Sequence, residues 1–597
     1  MKEKSFLQFN PPVRDSVDWL INLSKIIIIT IAVIYLLGNF TPYYEAKDAY
    51  LYGLEIINLS KGTYSISNEL FEDTGRLEFI SGNWRHTVHG DAIPAAGIGT
   101  PIIGLFFYTI GGIYGLFYAG PILGILFLIV YERISTKLFG KYVGFLSLLF
   151  LVTCHIFFRS AVLLNTDAIA ALFFIPGIYY LIKFLKHKNE NHVLLGSVFF
   201  AIATLIKIPG IIYFPTELVL IAGYFVIIGI NKKNSLMTKT TNKKSSTKLA
   251  RNNIGMKKTT KTIAFIFIPW LIFFSFWFSY NDYYYGGPFT TYASVKYGVD
   301  ASSSSLIGTL LTLEQKDFEQ FKDYSKYLLP YQIPATYNKV TENYADFLGK
   351  NWPGLLSPLI IIAGLLLSFK EKQKRVEIIV MSLFIAGIVF FYTGQATEER
   401  AERGLPARFM LPALSLSLMI LSYLIVRFIQ SKILEKSPFN INHTKIFKNI
   451  FLVGLGLFFI AAFYFTPPIQ MLISDDIPFK NPEIYASRYP LDLEGITEDS
   501  VIINVNTDWA LDYNAIPFRL HYQGEIYPDS VVLLQTIISD GYDVYVFKEP
   551  SVSTEKEILI YLTENYNMIY KDYSKSFCKV EFTEKMNGLP ESDTSCL

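Results

Sequence analysis

The sequence predicts a polytopic, all-α membrane protein of about eleven transmembrane helices, with a small α/β domain at its C-terminal end. Three observations predict this fold class: the composition, the position of Lys and Arg between apolar runs, and a change of pattern near residue 467. Of the 597 residues, 51% are hydrophobic and only 17% are charged, whereas soluble domains average about 25% charged residues. The mean hydropathy of +0.33 agrees with a chain that lies largely in lipid.

Apolar runs of membrane-spanning length, about 17–25 residues, recur over residues 1–466. Lys2, Lys4 and Arg14 precede the first run and predict a cytoplasmic N-terminus, and Lys and Arg then mark alternate connections. The predicted spans are residues 20–38, 113–131 and 143–158, a helix opened by Asp167, a helix that ends near Lys207, and residues 211–230, 262–280, 354–368, 376–392, 410–427 and 450–465.

The connections between these spans differ in character. Residues 41–95 form the predicted first external loop, 95–111 a partly inserted Gly-rich helix, and 132–142 a cytoplasmic turn. The Lys-rich segment 231–261 is predicted to be a disordered cytoplasmic loop that anchors the topology, with binding to anionic lipid as the alternative. Residues 281–352, which are rich in Tyr, form a long external loop.

From residue 467 to residue 597 the apolar runs shorten to strand length. VIINV and DVYVF predict buried strands, and STEKEILIYLTENY predicts an amphipathic helix, so this part is expected to form an extracytoplasmic α/β domain. Of the three cysteines, Cys578 and Cys596 lie here, where an external location permits a disulfide between them.

Candidate site residues are ionisable groups at the outer ends of the spans, because charges are costly within lipid. Glu45 and Asp48 are three residues apart, which on a helical turn places both on one face. The other candidates on the predicted outer side are His86, His89, Asp91, Arg159, Asp167, Lys207, Asp282, Arg400, Arg403 and Arg408. An enzyme on this face has no nucleotide-activated substrates, so a lipid-borne activated group is the economical donor.

Several stretches, in their order, resemble the GT-C glycosyltransferases, in particular prokaryotic relatives of dolichyl-phosphate-mannose protein mannosyltransferases and lipid-linked aminoarabinose transferases. The stretches are EAKDAYLYGLEIINLSKGTYSI, the run from GIGTPIIGLFF to KLFGKYVG, LLNTDAIAALFF, YNDYYYGGPFTTY, WPGLLSPLI and RGLPARFMLPAL. The resemblance covers most of residues 1–466 and stops before the C-terminal domain. It departs from the family at the acidic pair, where Ala49 follows Asp48 and Glu45 lies one turn earlier.

The resemblance implies transfer of a sugar, with inversion, from a polyprenyl-phosphate lipid to a hydroxyl acceptor on a protein, a lipid or a glycan, at the outer face of the cell membrane. Asp48 is the expected base and Glu45 the second candidate. Substrate and phosphate contacts are expected from His89, Asp91, Asp167, Lys207, Arg403, Arg408 and Tyr285.

Each of these residues also has a structural explanation. Asp48 can solvate the first loop helix, and Asp167 can be a helix N-cap. Arg403 lies among glutamates on a helix that could neutralise itself, and the run of tyrosines 283–285 is equally typical of an aromatic belt. A divalent Mg or Mn ion could use Asp48, Glu45, His89 and Asp91, although no spacing requires one.

Two other classes of protein stay open on the sequence. A polytopic transporter or lipid flippase would need an inverted repeat and charges deep in the spans, and Glu217 is the main acid of that kind. A membrane-anchored scaffold is the third class. The net charge of +2, distributed along the chain, predicts no nucleic-acid partner, and CxxC, HExxH, Walker-type and GxSxG motifs are absent from the sequence.

Overall fold

The computed structural model describes part of the chain in detail. The described residues are 16–38, 47–64, 84–87, 89, 92–94, 98–162, 164–237, 246–288, 366, 374–394, 411–435, 454, 501–503, 521–522, 538–539, 543–547, 568–572 and 577–582. Side chains are not described at some of these positions, Asp48 among them.

The described part of the membrane region is helical apart from one short hairpin. Its helices are α1 (Ser16–Gly38), α2 (Lys47–Ser60), α3 (Gly99–Phe139), α4 (Lys141–Val152), α5 (His155–Val162), α6 (Thr166–His187), α7 (Glu190–Ile206), α8 (Tyr213–Met237), α9 (Ser246–Tyr285), α10 (Arg375–Gly394) and α11 (Leu411–Glu435). A 3₁₀ turn, Ile208–Ile212, joins α7 to α8. The strands β1 (Trp84–His86) and β2 (Ala92–Pro94) pair in antiparallel fashion between α2 and α3.

Five of the described helices contain a stretch that is long and apolar enough to cross a membrane. These stretches are Ile21–Gly38, Tyr114–Phe139, Thr166–His187, Thr260–Tyr285 and Leu411–Ile429. They confirm the predicted helices at 20–38, 113–131, 262–280 and 410–427 and the one opened by Asp167. The predicted spans 354–368 and 450–465 lie almost wholly outside the described residues, so the total of eleven stays a prediction.

Helix α3 bends sharply at Gly112, which divides it into a short and a long part. Gly112 has φ 56° and ψ −142°, a backbone conformation that favours glycine. The part from Gly99 to Gly112 is about 20 Å long at about 1.5 Å per residue, too short for a hydrocarbon core of about 30 Å. This agrees with the prediction of a partly inserted helix at 95–111.

Three predictions about connections are wrong. The segment 132–142 is mostly helix: α3 continues to Phe139, and only Gly140, with φ 99°, separates it from α4. The predicted span 143–158 is two helices, because Thr153 Oγ1 and Cys154 Sγ both donate to the Phe150 carbonyl where the first one ends.

The third wrong prediction is disorder at 231–237 and 246–261, whereas the cytoplasmic location of this segment stays a prediction. Helix α8 runs on to Met237 and α9 begins at Ser246, whereas residues 238–245 lie outside the described part. Lys and Arg are good helix formers, and extending an existing apolar helix avoids the cost of nucleation. A polar composition therefore did not mean disorder here.

Helix α6 lies at the centre of the bundle and is buried along most of its length. Small residues let its neighbours approach closely: a Cβ on Gly177 would lie 2.6 Å from the ring of Phe200 on α7. Polar groups tie other helices together, as where Tyr131 Oη of α3 donates to the Ser415 carbonyl of α11 at 2.9 Å.

The C-terminal region contains a five-stranded mixed sheet. Its strands are β3 (Val501–Ile503), β4 (His521–Tyr522), β5 (Val544–Phe547), β6 (Met568–Asp572) and β7 (Phe577–Phe582), in the order β4-β3-β5-β7-β6. The strands predicted in VIINV and DVYVF are confirmed as β3 and β5, which pair in parallel. The predicted amphipathic helix lies outside the described residues. Cys578 of β7 is disulfide-bonded, and its predicted partner Cys596 also lies outside them.

Candidate active site

Close backbone contacts bring several helix ends together at one end of the bundle. A Cβ on Gly99, at the start of α3, would lie 2.6 Å from the backbone of Leu205 and Ile206 at the end of α7. A Cβ on Gly104 would lie 2.2 Å from Ile56 Cδ1 of α2 and 3.2 Å from Leu164, just before α6. We call this region the Asp167 end.

An ion pair lies at the centre of this end. The Lys207 ammonium, directly after α7, donates to Oδ1 of Asp167 in the first turn of α6. Both side chains are buried or nearly so, at 0% exposure for Asp167 and 11% for Lys207. Asn165, and not Asp167, is the N-cap, because its side chain accepts from the Asp167 N–H at 3.4 Å. The Asp167 carboxylate is instead stabilised by the positive end of the α6 helix dipole.

Helix α2 presents one buried face to this end. Tyr52, Glu55 and Ile56 are all buried. In the sequence of α2, Asp48 lies four residues before Tyr52 and seven before Glu55. The backbone of Asp48 is in the first turn of α2, whereas Glu45 lies outside the described residues.

Glu55 is a buried acid of α2 that the sequence prediction did not name. Its carboxylate is buried, and Tyr64 Oη donates to Glu55 Oε1 at 3.2 Å. Burial raises the pKa of Tyr64 well above its usual range, and the negative charge of Glu55 raises it further. Tyr64 therefore keeps its proton and can donate to the carboxylate. The spacing of seven residues after Asp48 was the signal that could have found Glu55.

The β1–β2 hairpin and the end of α9 enclose a small aromatic cluster. Ile93, Tyr64 and Tyr285 form its buried centre, with Tyr280 and Tyr284 packed around them. Tyr285 is only 4% exposed, whereas Tyr283 is 61% exposed, and its ring centroid lies 4.8 Å from that of His89 in the hairpin turn. The free aromatic surface at this place therefore belongs to Tyr283 and His89.

The predicted site residues thus fall into two groups. Asp167 pairs with Lys207, and the segments of Asp48, His89 and Tyr285 meet through α2 and the aromatic cluster. Asp91, Arg403 and Arg408 lie outside the described residues, as Glu45 does. Within the described residues, no group of three or more His, Cys, Asp or Glu side chains could hold a metal ion.

Glu217, the acid that favoured a transporter, is buried between three helices. Ser197 Oγ of α7 donates to Glu217 Oε1 at 2.7 Å, and Trp270 Nε1 of α9 donates to Glu217 Oε2 at 3.1 Å. Each carboxylate oxygen therefore has a hydrogen-bond donor, and these two hydrogen bonds connect α8 to α7 and to α9.

These features define a helical membrane protein with charged residues at both ends of an apolar bundle. Residues 106–241 match the family model described as dolichyl-phosphate-mannose-protein mannosyltransferase. The matched segment includes Asp167 and Lys207, and it confirms the resemblance over this part of the chain. No protein of curated function matches the chain by sequence.

Solved structures with a similar arrangement come from two kinds of protein. One is ArnT from Cupriavidus metallidurans bound to undecaprenyl phosphate, at 11% identity and a TM-score of 0.49, with 95% of this chain and 98% of that chain covered. Another is the oligosaccharyltransferase AglB from Archaeoglobus fulgidus in complex with an inhibitory peptide and a dolichol-phosphate, at 13% identity and a TM-score of 0.48, with 94% and 74% covered. At these values the likeness alone assigns neither an activity nor a substrate.

Proposed function

We propose that this protein is an inverting glycosyltransferase that moves a sugar from a polyprenyl-phosphate-linked donor to a hydroxyl acceptor at the outer face of the membrane. One observation carries the proposal. The segment that matches the mannosyltransferase family model contains the buried Asp167–Lys207 pair, and this pair lies at the same end of the bundle as α2, the helix of Asp48.

Asp48 is the proposed general base. As the acceptor oxygen attacks the anomeric carbon, the Asp48 carboxylate takes the hydroxyl proton, and the bond from that carbon to the phosphate oxygen breaks. The polyprenyl phosphate leaves with the bonding electron pair, on the side opposite the new bond, so the configuration inverts. Glu45 is the second candidate for the base.

Lys207 is the proposed contact for the departing phosphate. Its ammonium group donates to Asp167 Oδ1. Asp167 fixes the position of the ammonium, whose positive charge is proposed to stabilise a phosphate oxygen as negative charge develops there. Arg408 and Arg403 are proposed to add to this phosphate contact.

The aromatic cluster is proposed to position the sugar or the acceptor. Tyr283 and His89 present exposed rings, which suit the apolar face of a sugar ring. Tyr285 is proposed to act from within the cluster by holding the end of α9, and Asp91, close to His89 in sequence, is proposed to accept a substrate hydroxyl.

A divalent cation is compatible with this proposal. Asp48, Glu45, His89 and Asp91 have the oxygen and nitrogen donors that Mg or Mn binds, and such an ion would supply further positive charge for the leaving phosphate. No step above depends on it.

One observation supports an extracytoplasmic C-terminal region, and another supports a lipid donor. Cys578 is disulfide-bonded, and disulfides form in oxidising compartments outside the cytosol. The ArnT and AglB structures hold undecaprenyl phosphate and dolichol-phosphate, respectively, which are both polyprenyl-type phosphates. A transporter is the alternative, but the hydrogen bonds of Glu217 give that acid a structural role.

The test is sugar transfer by the full-length protein in lipid nanodiscs with a panel of radiolabelled polyprenyl-phosphate sugars. We expect Asp48→Asn to lower the rate by about 10²–10⁴-fold, the usual contribution of a general base. Asp543→Asn is the matched control, because Asp543 lies directly before β5 in the C-terminal sheet and is paired with Lys579 at the surface; its rate is expected to stay within about twofold of the unmodified protein.

The possible outcomes separate the hypotheses. Retained transfer in Asp48→Asn would move the base to Glu45, which Glu45→Gln then tests. Absence of transfer by the unmodified protein from every donor, together with counterflow of a solute, would replace the enzyme with a transporter.

A further inference from the structure

Two lysines from different helices lie against one tyrosine ring at the end of the bundle opposite Asp167. Lys137 is in the last turn of α3 and Lys183 is near the end of α6. Their ammonium nitrogens lie 5.7 Å and 4.9 Å from the centroid of the Tyr179 ring. Lys183 reaches the ring from one turn away on its own helix, whereas Lys137 reaches it across the α3–α6 contact.

These two lysines differ from their neighbours in having no acidic partner among the described residues. Glu132 accepts from Lys25, and Glu377 forms ion pairs with Lys186 and Lys374. Glu190, in the first turn of α7, forms no ion pair with either lysine among the described residues. Two positive charges are thus placed beside one ring without compensation from the part of the chain that the structure describes. Arg133, exposed one turn before Lys137, adds to them.

The position of the lysines along their helices corresponds to the lipid headgroups. The stretch Tyr114–Phe139 has 26 residues and is about 39 Å long at about 1.5 Å per residue, so its ends extend beyond a hydrocarbon core of about 30 Å. Lys137 is two residues from that end. The stretch Thr166–His187 ends at the same place, and the long side chain of Lys183 can extend towards water. Tyr179, between them, is a residue typical of this interface.

We propose that Lys137, Lys183 and Tyr179 form a binding site for the phosphate of an anionic phospholipid. The phosphate would accept hydrogen bonds from the two ammonium groups, and the Tyr179 ring would hold those groups in place. A zwitterionic headgroup carries its own cation and leaves the two lysines uncompensated, whereas an anionic lipid supplies the missing negative charge. The site is independent of the proposed glycosyltransferase activity.

The experiment measures lipid binding to the purified full-length protein by native mass spectrometry in detergent. Short-chain phosphatidylglycerol is titrated against phosphatidylcholine, and the apparent Kd of the first bound lipid is recorded. Phosphatidylglycerol is expected to bind more tightly than phosphatidylcholine. Lys137→Gln and Lys183→Gln are each expected to weaken phosphatidylglycerol binding about fivefold, the fold-change that corresponds to about 1 kcal/mol for one lysine at an anionic surface.

Variants test whether the two lysines share one phosphate. The double variant is expected to raise the Kd by less than the product of the two single fold-changes. The reason is that the effects of two residues that contact the same group are not additive. Lys571→Gln is the matched control, since Lys571 is exposed on β6 of the C-terminal sheet and its charge is paired with that of Glu581; it is expected to change the Kd by less than twofold. Tyr179→Phe is expected to keep the binding, and Tyr179→Leu to weaken it.

Three results would overturn the site. They are equal binding of the two lipids, an effect of Lys571→Gln as large as that of Lys137→Gln, and strictly additive single effects. A fourth arm adds inorganic phosphate, and displacement of phosphatidylglycerol at millimolar phosphate would show a free-anion site instead of a lipid site. Unchanged thermal unfolding midpoints of the variants show that any loss of binding is not a loss of folding.

Discussion

The two ends of the helix bundle hold their charges in different ways. At the Asp167 end, a buried carboxylate in the first turn of α6 pairs with one lysine that is almost as buried. At the other end, which we call the Glu377 end, the buried Glu377 accepts from Lys186 and Lys374, whose side chains are 32% and 25% exposed. Lys374 also donates to the Leu138 carbonyl in the last turn of α3.

The difference in lysine exposure indicates which of these ion pairs serves only to connect helices. Lys186 and Lys374 can reach water, and they satisfy carboxylate and carbonyl oxygens at helix ends, so they connect α3, α6 and α10 at little cost. Burying both members of an ion pair costs several kcal/mol of desolvation per ion, and an apolar pair is often as stable. Stability alone therefore does not explain the Asp167–Lys207 pair, and the proposed contact of Lys207 with a phosphate gives the pair a different purpose.

The largest expected effect comes from breaking the buried pair. Lys207→Met leaves the Asp167 carboxylate buried without its cation, so we expect the free energy of unfolding to fall by about 3–5 kcal/mol. Urea denaturation in detergent micelles measures this. Sugar transfer is expected to be lost as well, because the proposed phosphate contact is removed.

The double variant Asp167→Asn with Lys207→Met separates stability from activity. We expect it to recover most of the lost stability, since no buried charge is left, while sugar transfer stays lost. Recovery of transfer together with stability would mean that the pair is only structural. The comparison between the two ends would then fail.

A smaller effect is expected where α3 meets α7. The Cβ of Gly99→Ala would lie 2.6 Å from the backbone of Leu205 and Ile206, which cannot turn aside as a side chain can. We expect a loss of about 1–3 kcal/mol in the free energy of unfolding and a lower rate of transfer, because the backbone must shift directly before Lys207.

Gly111→Ala is the matched control for that prediction. Gly111 lies in the same helix, and no atom within 4 Å would meet an added Cβ. The free energy of unfolding of Gly111→Ala is expected to stay the same or rise slightly, since alanine is a better helix former than glycine. An equal loss in both variants would show that the contact at Gly99 is not the cause.

The elements that the sequence predicted best are those that depend on a local sequence pattern. Long apolar runs gave the positions of α1, α6, α9 and α11, because lipid requires such a run whatever surrounds it. The interruption at Thr153 and Cys154 was missed, since it depends on two side chains that bond to one carbonyl within an apolar run. The helices in 231–261 were missed because composition was taken as evidence of disorder.

For the site, the residues were predictable but their partners were not. Asp167 and Lys207 were both expected on one face, yet their contact depends on how α6 and α7 pack, over 40 residues of separation. In the run of tyrosines 283–285, the rotation of α9 decides that Tyr283 is exposed and Tyr285 is buried. No local sequence pattern predicts the rotation of α9 about its axis.

The smallest expected effect is at the Glu377 end. Glu377→Gln removes the charge that Lys186 and Lys374 share, but both lysines can turn to water, so no buried charge is left behind. We expect the free energy of unfolding to fall by about 1 kcal/mol or less and sugar transfer to be unchanged, in the same urea and nanodisc measurements. A loss of transfer in Glu377→Gln would mean that this end also acts in the reaction. A loss of stability as large as that of Lys207→Met would mean that burial of the carboxylate, and not exposure of the lysines, determines the cost of breaking an ion pair in this bundle.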